Sequence, residues 1–160
     1  MTWVNDPDVV GNLAAFAGEP FTRDDELAWI RRTLTSPSDV VFSVLDAADD
    51  RYLGQIGIHQ IHARSRVGRL GVVIAAKTDM GKGYGSAAIR AVVEHAFGPL
   101  DLHKLWVMMF AHNRRTRGIC ERVGFQLEGV LREEYFHAGD WHDMARLSLL
   151  AREYRSPSPS

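Results

Sequence analysis

The fold of this 160-residue chain is decided by one stretch, which reads Gly71-Val-Val-Ile-Ala-Ala76, Lys77-Thr-Asp-Met80, Gly81-Lys-Gly-Tyr-Gly-Ser86 and Ala87-Ala-Ile-Arg-Ala-Val-Val-Glu-His-Ala-Phe97. Its blocks predict an apolar strand, a glycine-rich turn and an amphipathic helix. Beyond Gly85, apolar residues recur at i, i+3, i+4, i+7 and i+8, which places them on one helical face: Ile89, Val92, Val93, Ala96 and Phe97.

A glycine-rich turn that leads into a helix can bind an anion. The first N–H groups of a helix have no intrahelical partner, and the helix dipole adds partial positive charge behind them. Such a site suits a phosphate or pyrophosphate. Gly81, Gly83 and Gly85 permit positive φ and let a ligand approach the backbone closely. The alternative is that the glycines serve only a tight connection, and the turn by itself leaves both interpretations open.

Two common nucleotide motifs fit this turn poorly. A P-loop requires Ser or Thr after its lysine, but Gly83 follows Lys82. The dinucleotide fingerprint requires a third glycine where Ser86 stands. Asp101 lies twenty residues beyond Gly81, yet it precedes the next predicted strand, whereas a ribose-binding acid ends one.

Three linked blocks instead resemble the GNAT superfamily of N-acetyltransferases. Residues Met80–Gly85 are similar to its coenzyme A signature, Arg/Gln-x-x-Gly-x-Gly/Ala. The resemblance continues through Asn113–Phe125, then through Glu128–Glu134 and Gly139–Asp143. Together the blocks look like the branch that acetylates ribosomal-protein N-termini, polyamines and similar amines, and the similarity runs from residue 3 to about residue 154.

The resemblance implies a GNAT-type α/β (α+β) fold, with a mixed, mostly antiparallel central sheet flanked by helices. We expect one domain over residues 1–154 and a disordered Ser/Pro tail over 155–160. The family usually begins with a strand, whereas Asp6-Pro7 predicts a helix start. Either the true start lies upstream or the first strand is absent. In the second case a neighbouring strand edge is exposed and could pair with another chain as a homodimer.

Composition excludes several classes of protein. Apolar residues at 46% and charged residues at 24% are ordinary for a globular domain, and a net charge of −1 argues against nucleic-acid binding. One cysteine excludes an internal disulfide and suits a reducing compartment. The first twenty residues lack Lys and Arg, and no apolar run reaches membrane-spanning length. We expect a cytoplasmic protein that binds no nucleic acid, membrane or metal.

By the same resemblance, acetyl-coenzyme A is the co-substrate, and three groups of residues would hold it. The pyrophosphate would rest on the backbone of Met80, Gly81, Lys82, Gly83, Tyr84, Gly85 and Ser86. Backbone groups near Val72, Val73 and Ile74 would meet the pantetheine and the thioester carbonyl. Asn113 would cap a helix and also bind the pantetheine arm.

Met80 departs from the signature, whose first position is usually Arg or Gln. If that position contributes only its backbone amide, the change is harmless. If a side-chain contact matters, Lys82 or Lys77 must supply it.

A second departure concerns the acid that protonates the leaving thiolate. Many GNAT enzymes place a tyrosine seven residues after the motif asparagine, and here that position is Cys120. A thiol, with a reference pKa of about 8.5, could serve as general acid. However, Cys120 shares an apolar helix face with Ile119 and Val123, where a lone cysteine is typically core filler. Water is a further alternative, and we do not expect Cys120 to be a covalent nucleophile.

The general base stays open. His59, His62, Glu134 and His137 are candidates, each more typical of a surface or structural residue, and a water relay is an equal alternative. Related sequences often carry an acid where Arg69 stands, which removes one candidate.

Three functions therefore compete. The first is acetyl transfer to a protein or peptide N-terminus by direct attack of the amine on the thioester. The second is the same chemistry on a small amine such as a polyamine, amino sugar, amino acid or antibiotic. The third is a coenzyme A-binding module without turnover.

Overall fold

The computed structural model describes residues 22–74, 77–79 and 81–154. In chain order, its elements are α1 (Arg23–Thr35), β1 (Val40–Leu45), β2 (Tyr52–His62), β3 (Val67–Ile74), a 3-10 turn (Lys77–Asp79), α2 (Tyr84–Phe97), β4 (Lys104–Phe110), α3 (Arg114–Val123), β5 (Gln126–His137) and β6 (Asp140–Leu150). The helix and missing strand expected near the start fall on residues 1–21, and the expected tail on 155–160. These expectations lie outside the described residues.

The strands form one six-stranded sheet in the order β1-β2-β3-β4-β6-β5. All neighbouring strands run antiparallel except β3 and β4, which are parallel. The crossover between these two strands contains the glycine turn and α2. This arrangement confirms the predicted mixed, mostly antiparallel sheet with flanking helices.

The sheet divides along the seam between β3 and β4. Parallel pairing covers only Val67–Arg69 on β3 and Lys104–Trp106 on β4. Beyond these residues, β3 stays paired to β2 as far as Ile74, and β4 stays paired to β6 as far as Phe110. The two strands therefore present facing edges that do not pair with each other.

The core lies between one face of the sheet and helices α2 and α3. The apolar face predicted for α2 is buried at Ile89, Val92, Val93 and Ala96. Alternate residues of β4 meet it, because side chains along a strand point to opposite faces: Leu105, Val107 and Met109. Cys120 of α3 completes this cluster with no exposed surface.

Local signals set most element boundaries. Thr22 and Asp25 form a capping box at the start of α1. Asn113 caps α3, and Gly124 ends it at a φ of 118°, which favours glycine. β3 begins at Val67, ahead of its apolar run, because Val67 and Arg69 each pair with both neighbouring strands. None of the described helices has the length and apolar composition of a membrane span.

Replacing Ile89 with Ala is expected to lower the free energy of unfolding by about 2–5 kcal/mol, because it empties space in the core. Ile89 is 1% exposed, whereas Leu34 on α1 is 80% exposed. The control Leu34→Ala should change stability by less than about 0.5 kcal/mol. Urea unfolding followed by circular dichroism measures both, and equal losses would contradict the assigned core.

Candidate functional site

The N-terminus of α2 differs from those of the other described helices. The Thr22 hydroxyl accepts a hydrogen bond in the first turn of α1, and Asn113 Oδ1 accepts one from the Thr116 backbone at 3.1 Å in α3. At α2 the N-cap is Gly83, and no described side chain caps its first turn. The first-turn amides of Tyr84, Gly85 and Ser86 are therefore available to an anion.

The preceding turn takes a conformation that favours glycine. Gly81 and Gly83 have φ values of 90° and 93°. A Cβ placed on Gly83 would meet no atom of the described residues within 4 Å, so the turn is open on that side with respect to them. The glycines thus supply both the left-handed backbone and free space beside the amides. Met80, predicted to contact the same ligand, lies outside the described residues.

A buried carboxylate anchors this turn to the β1–β2 turn, which lies at the same end of the sheet. Asp79 is 2% exposed and accepts hydrogen bonds from Arg51 Nη1 at 2.7 Å and Nη2 at 3.2 Å. Lys82 Nζ lies 3.3 Å from the same carboxylate. The Tyr84 hydroxyl donates to Asp46 at 2.7 Å, in the turn between β1 and β2 that also carries Arg51. Side chains from another loop therefore hold the glycine turn in place.

The charges around Asp79 lower its pKa. The hydrogen bond from Arg51 is the largest cause, and Lys82 adds to it, so the pKa of Asp79 lies below its ordinary value despite burial. Asp79 is consequently ionised at neutral pH. Its negative charge is matched by two cations, which leaves the turn without excess negative charge.

Two cations border the open side of the turn. The Lys82 side chain is 55% exposed, although its tip contacts Asp79. Arg115, on the first turn of α3, places Nη2 3.7 Å from where a Cβ on Gly81 would lie. Arg115 is not among the site residues predicted from the sequence, because only the packing of α3 beside α2 brings its side chain to the turn. The adjacent Arg114-Arg115 pair after the motif asparagine was the signal available.

Val72, Val73 and Ile74 lie on the part of β3 that β4 leaves unpaired. Gly54 of β2 packs tightly behind them, since a Cβ there would lie 2.0 Å from the Val73 carbonyl oxygen. This close approach requires a glycine at position 54. Along the chain, β3 is followed by the 3-10 turn and then by the glycine turn, so the two predicted contact regions are neighbours in sequence.

Asn113 lies three residues beyond the end of β4. Its side-chain oxygen caps α3, as predicted. No partner among the described residues engages its side-chain nitrogen, so capping leaves two N–H donors for another ligand.

Cys120 lies in the core, and burial raises the pKa of its thiol to about 12. A thiol with this pKa transfers a proton to a less basic thiolate unfavourably. The position therefore favours the packing interpretation over the general acid.

The other candidate bases lie apart from one another. His62 is exposed and accepts a hydrogen bond from the Ser65 backbone at 3.1 Å. Glu134 is exposed on β5, and His137 contacts the rings of Phe110 and His142 at the hairpin. Within the described parts of the chain, no group of three acidic, histidine or cysteine side chains could hold a metal ion.

Comparison with known proteins identifies the family. The acetyltransferase (GNAT) domain matches residues 1–126, so the chain belongs to the GNAT acetyltransferase family. The spermidine N-acetyltransferase of Vibrio cholerae, solved in complex with CoA and spermine, has a TM-score of 0.85 and 24% identity over 94% of this chain and 87% of that one. That likeness establishes the shared fold.

The names of two curated relatives state different acceptors for those proteins. The first is "Putative ribosomal N-acetyltransferase YdaF" of Bacillus subtilis (strain 168), 33% identical over 66% of this chain and 57% of the relative. The second is spermidine N(1)-acetyltransferase of Vibrio cholerae serotype O1, 26% identical over 88% of this chain and 80% of the relative. The match to YdaF thus spans little more than half of that protein.

Replacing Asp79 with Asn should lower stability in a pH-dependent way. The pKa of Asp79 is lower in the folded than in the unfolded state, so its ion pair stabilises the fold above the ordinary value of about 3.9. This contribution is lost as the pH falls through the folded-state value. The difference in unfolding free energy between wild type and Asp79→Asn should be constant from about pH 7 to 5 and shrink below about pH 4.

Urea unfolding at several pH values provides the measurement. Asp24→Asn is the control, because Asp24 is an exposed first-turn residue with no ion pair among the described residues. A loss in Asp79→Asn that stays equal at pH 7 and pH 3 would contradict the assigned ion pair.

Proposed function

We propose that this protein is an acetyl-coenzyme A-dependent N-acetyltransferase whose acceptor is a primary amine. The observation that carries the proposal is the uncapped N-terminus of α2 behind a glycine turn with positive φ at Gly81 and Gly83. Membership of the GNAT family and the similarity to named N-acetyltransferases support it. Among acceptors we favour a polyamine, since that relative matches the larger share of both chains.

The glycine turn and its surroundings offer the N–H donors and positive charges that the pyrophosphate of coenzyme A requires. The amides of Tyr84, Gly85 and Ser86 would bind the pyrophosphate together with the backbone of residues 80–83. Lys82 and Arg115 would supply the side-chain charge that the signature usually places at Met80. The coenzyme supplies an acetyl group activated as a thioester.

The split in the sheet suits the rest of the coenzyme. Backbone groups of Val72, Val73 and Ile74 have no partner on β4 and could bind an extended arm in place of a strand. A backbone donor fixed in this way stabilises charge on a carbonyl oxygen without reorganisation. Asn113 could bind the same arm through its side-chain N–H groups.

We further propose that the protein acts in the cytoplasm as a homodimer. Its single cysteine is compatible with a reducing compartment. Phe136 and Trp141 form an exposed aromatic pair at the end of the β5–β6 hairpin, with 55% and 58% exposure, and could contact a second copy. Light scattering during size-exclusion chromatography measures the assembly.

Release of CoA thiol across a panel of amines tests the activity. Turnover with spermidine or spermine but not with peptides would support the polyamine acceptor. Turnover only with peptide N-termini would support the ribosomal-protein alternative. Calorimetric binding of acetyl-CoA without turnover on any amine would overturn the enzymatic proposal.

Replacing Gly83 with Ala should weaken acetyl-CoA binding by about tenfold or more. The added methyl group would occupy the open space beside the amides, where a hydrogen bond to a charged group is worth about 1.5–3 kcal/mol. Gly139→Ala is a matched control. Gly139 also has a positive φ, 84°, and open space around it, but lies in the β5–β6 turn.

Both variants should lose about 1–2 kcal/mol of stability from the left-handed conformation. Only Gly83→Ala should lose affinity in titration calorimetry. Equal affinities of the two variants would place the phosphate site elsewhere.

Replacing Cys120 with Ala should leave the pH–rate profile of acetyl transfer unchanged, because its buried thiol does not supply the proton. Stability should fall by about 1 kcal/mol from the packing lost. Steady-state rates between pH 6 and 10 and urea unfolding measure the two effects. If Cys120→Ala abolished the fall in rate at high pH, Cys120 would be the general acid.

A further inference from the structure

His59 lies on the sheet face opposite the core, over two glycines. A Cβ placed on Gly57 would lie 3.1 Å from its Nε2, and one on Gly71 would lie 3.3 Å from the same atom. Gly57 and Gly71 are directly paired across β2 and β3. Side chains at these two positions would displace the ring, so the two glycines leave the space that the imidazole occupies.

Asp39 fixes the orientation of this ring. Its Oδ1 lies 2.9 Å from His59 Nδ1, and its other oxygen accepts a hydrogen bond from the Ser36 hydroxyl at 2.5 Å. Partial burial works to raise the pKa of Asp39, but hydrogen bonds from Ser36 and His59 outweigh it and hold the pKa below its ordinary value. The carboxylate can only accept, so in the neutral ring Nδ1–H donates a hydrogen bond to it and the lone pair lies on Nε2.

Nε2 lies beside the split in the sheet. Gly71 is two residues beyond Arg69, where the pairing between β3 and β4 ends, and immediately precedes Val72. Nε2 has no hydrogen-bond partner among the described residues, and the side chain is 20% exposed. An oriented, accessible acceptor thus stands next to the strand segment assigned to the thioester.

Two arginines follow His59 across the neighbouring strands. Arg69 is the cross-strand neighbour of His59, and its buried Nε lacks a hydrogen-bond partner. Further along, Arg146 stacks over Trp106, the β4 partner of Arg69, at 4.2 Å. Neither competes with Nε2 for a proton, and among the described histidines His59 is the one paired with a carboxylate.

We propose that Nε2 of His59, oriented by Asp39, accepts the proton that the amine loses during acetyl transfer. This inference rests on the proposed function and adds the base that sequence analysis left open. The amine N–H bond breaks, its proton bonds to Nε2, and its electron pair stays on nitrogen. The nitrogen lone pair forms the bond to the acetyl carbon, while the electron pair of the C–S bond leaves on sulfur. His59 then returns its proton to solvent.

His59→Gln tests the role of the base, with His62→Gln as the control on the same strand. We expect kcat to fall by about 10²-fold or more in His59→Gln, as for loss of a general base. The rise of kcat/KM with pH produced by the imidazole should disappear, while acetyl-CoA affinity stays unchanged. His62→Gln should keep wild-type rates.

Asp39→Asn tests the positioning role, and its first readout, the position of the ring proton, needs neither coenzyme nor acceptor. An amide can donate to Nδ1 and so move the ring proton to Nε2. Nitrogen-15 NMR of the unliganded wild type should show neutral His59 protonated on Nδ1. The spectrum of Asp39→Asn should show a shift towards protonation on Nε2, with a matching loss of kcat.

The outcomes separate the two proposals. A wild type that acetylates amines, with a folded His59→Gln of equal rate and equal pH profile, would overturn the role of His59 alone. Neutral His59 protonated on Nε2 in the wild type would also overturn it. A wild type that acetylates no amine would overturn both proposals.

Discussion

The short pairing between β3 and β4 is the constraint on which the rest of the structure depends. Only three residue pairs join these parallel strands, while β2 and β6 support their outer edges along nearly the full length. The sheet therefore opens without losing its two halves. Backbone polar groups on the inner edges need partners that the sheet does not supply. Along the chain, β3 is followed by the glycine turn, so the opening in the sheet and the uncapped start of α2 are neighbours in sequence.

Side chains of another loop keep that turn in shape. Arg51 and Asp79 are separated by 28 residues, yet their partly buried contact joins the β1–β2 turn to the segment that precedes α2. Because the turn is fixed through Asp79 and Tyr84, the amides of α2 need no internal cap. A helix start that is rigid but unpaired has its donors preorganised for an anion, which lowers the ordering cost of binding.

Local sequence patterns were sufficient for the elements and for the turn, but not for the side-chain partnerships. Asn113 and Gly124 stand at the two ends of α3, and a continuous apolar run forms β4. Pairing register, in contrast, depends on contacts between distant segments, so the split in the sheet had no local signal. The partnership of Asp39 with His59 likewise spans 20 residues, and a single histidine in a strand carries no periodic pattern.

The burial of Cys120 has a practical consequence for enzymology. It is the sole cysteine of the chain and is fully enclosed by the core. Alkylating agents and disulfide reagents react with the thiolate form of cysteine. Burial raises the pKa of this thiol and so keeps the sulfur protonated. A chromogenic disulfide reagent would therefore count the coenzyme released, with no background from the folded protein. Oxidants in the cell would likewise spare this sulfur until the chain unfolds.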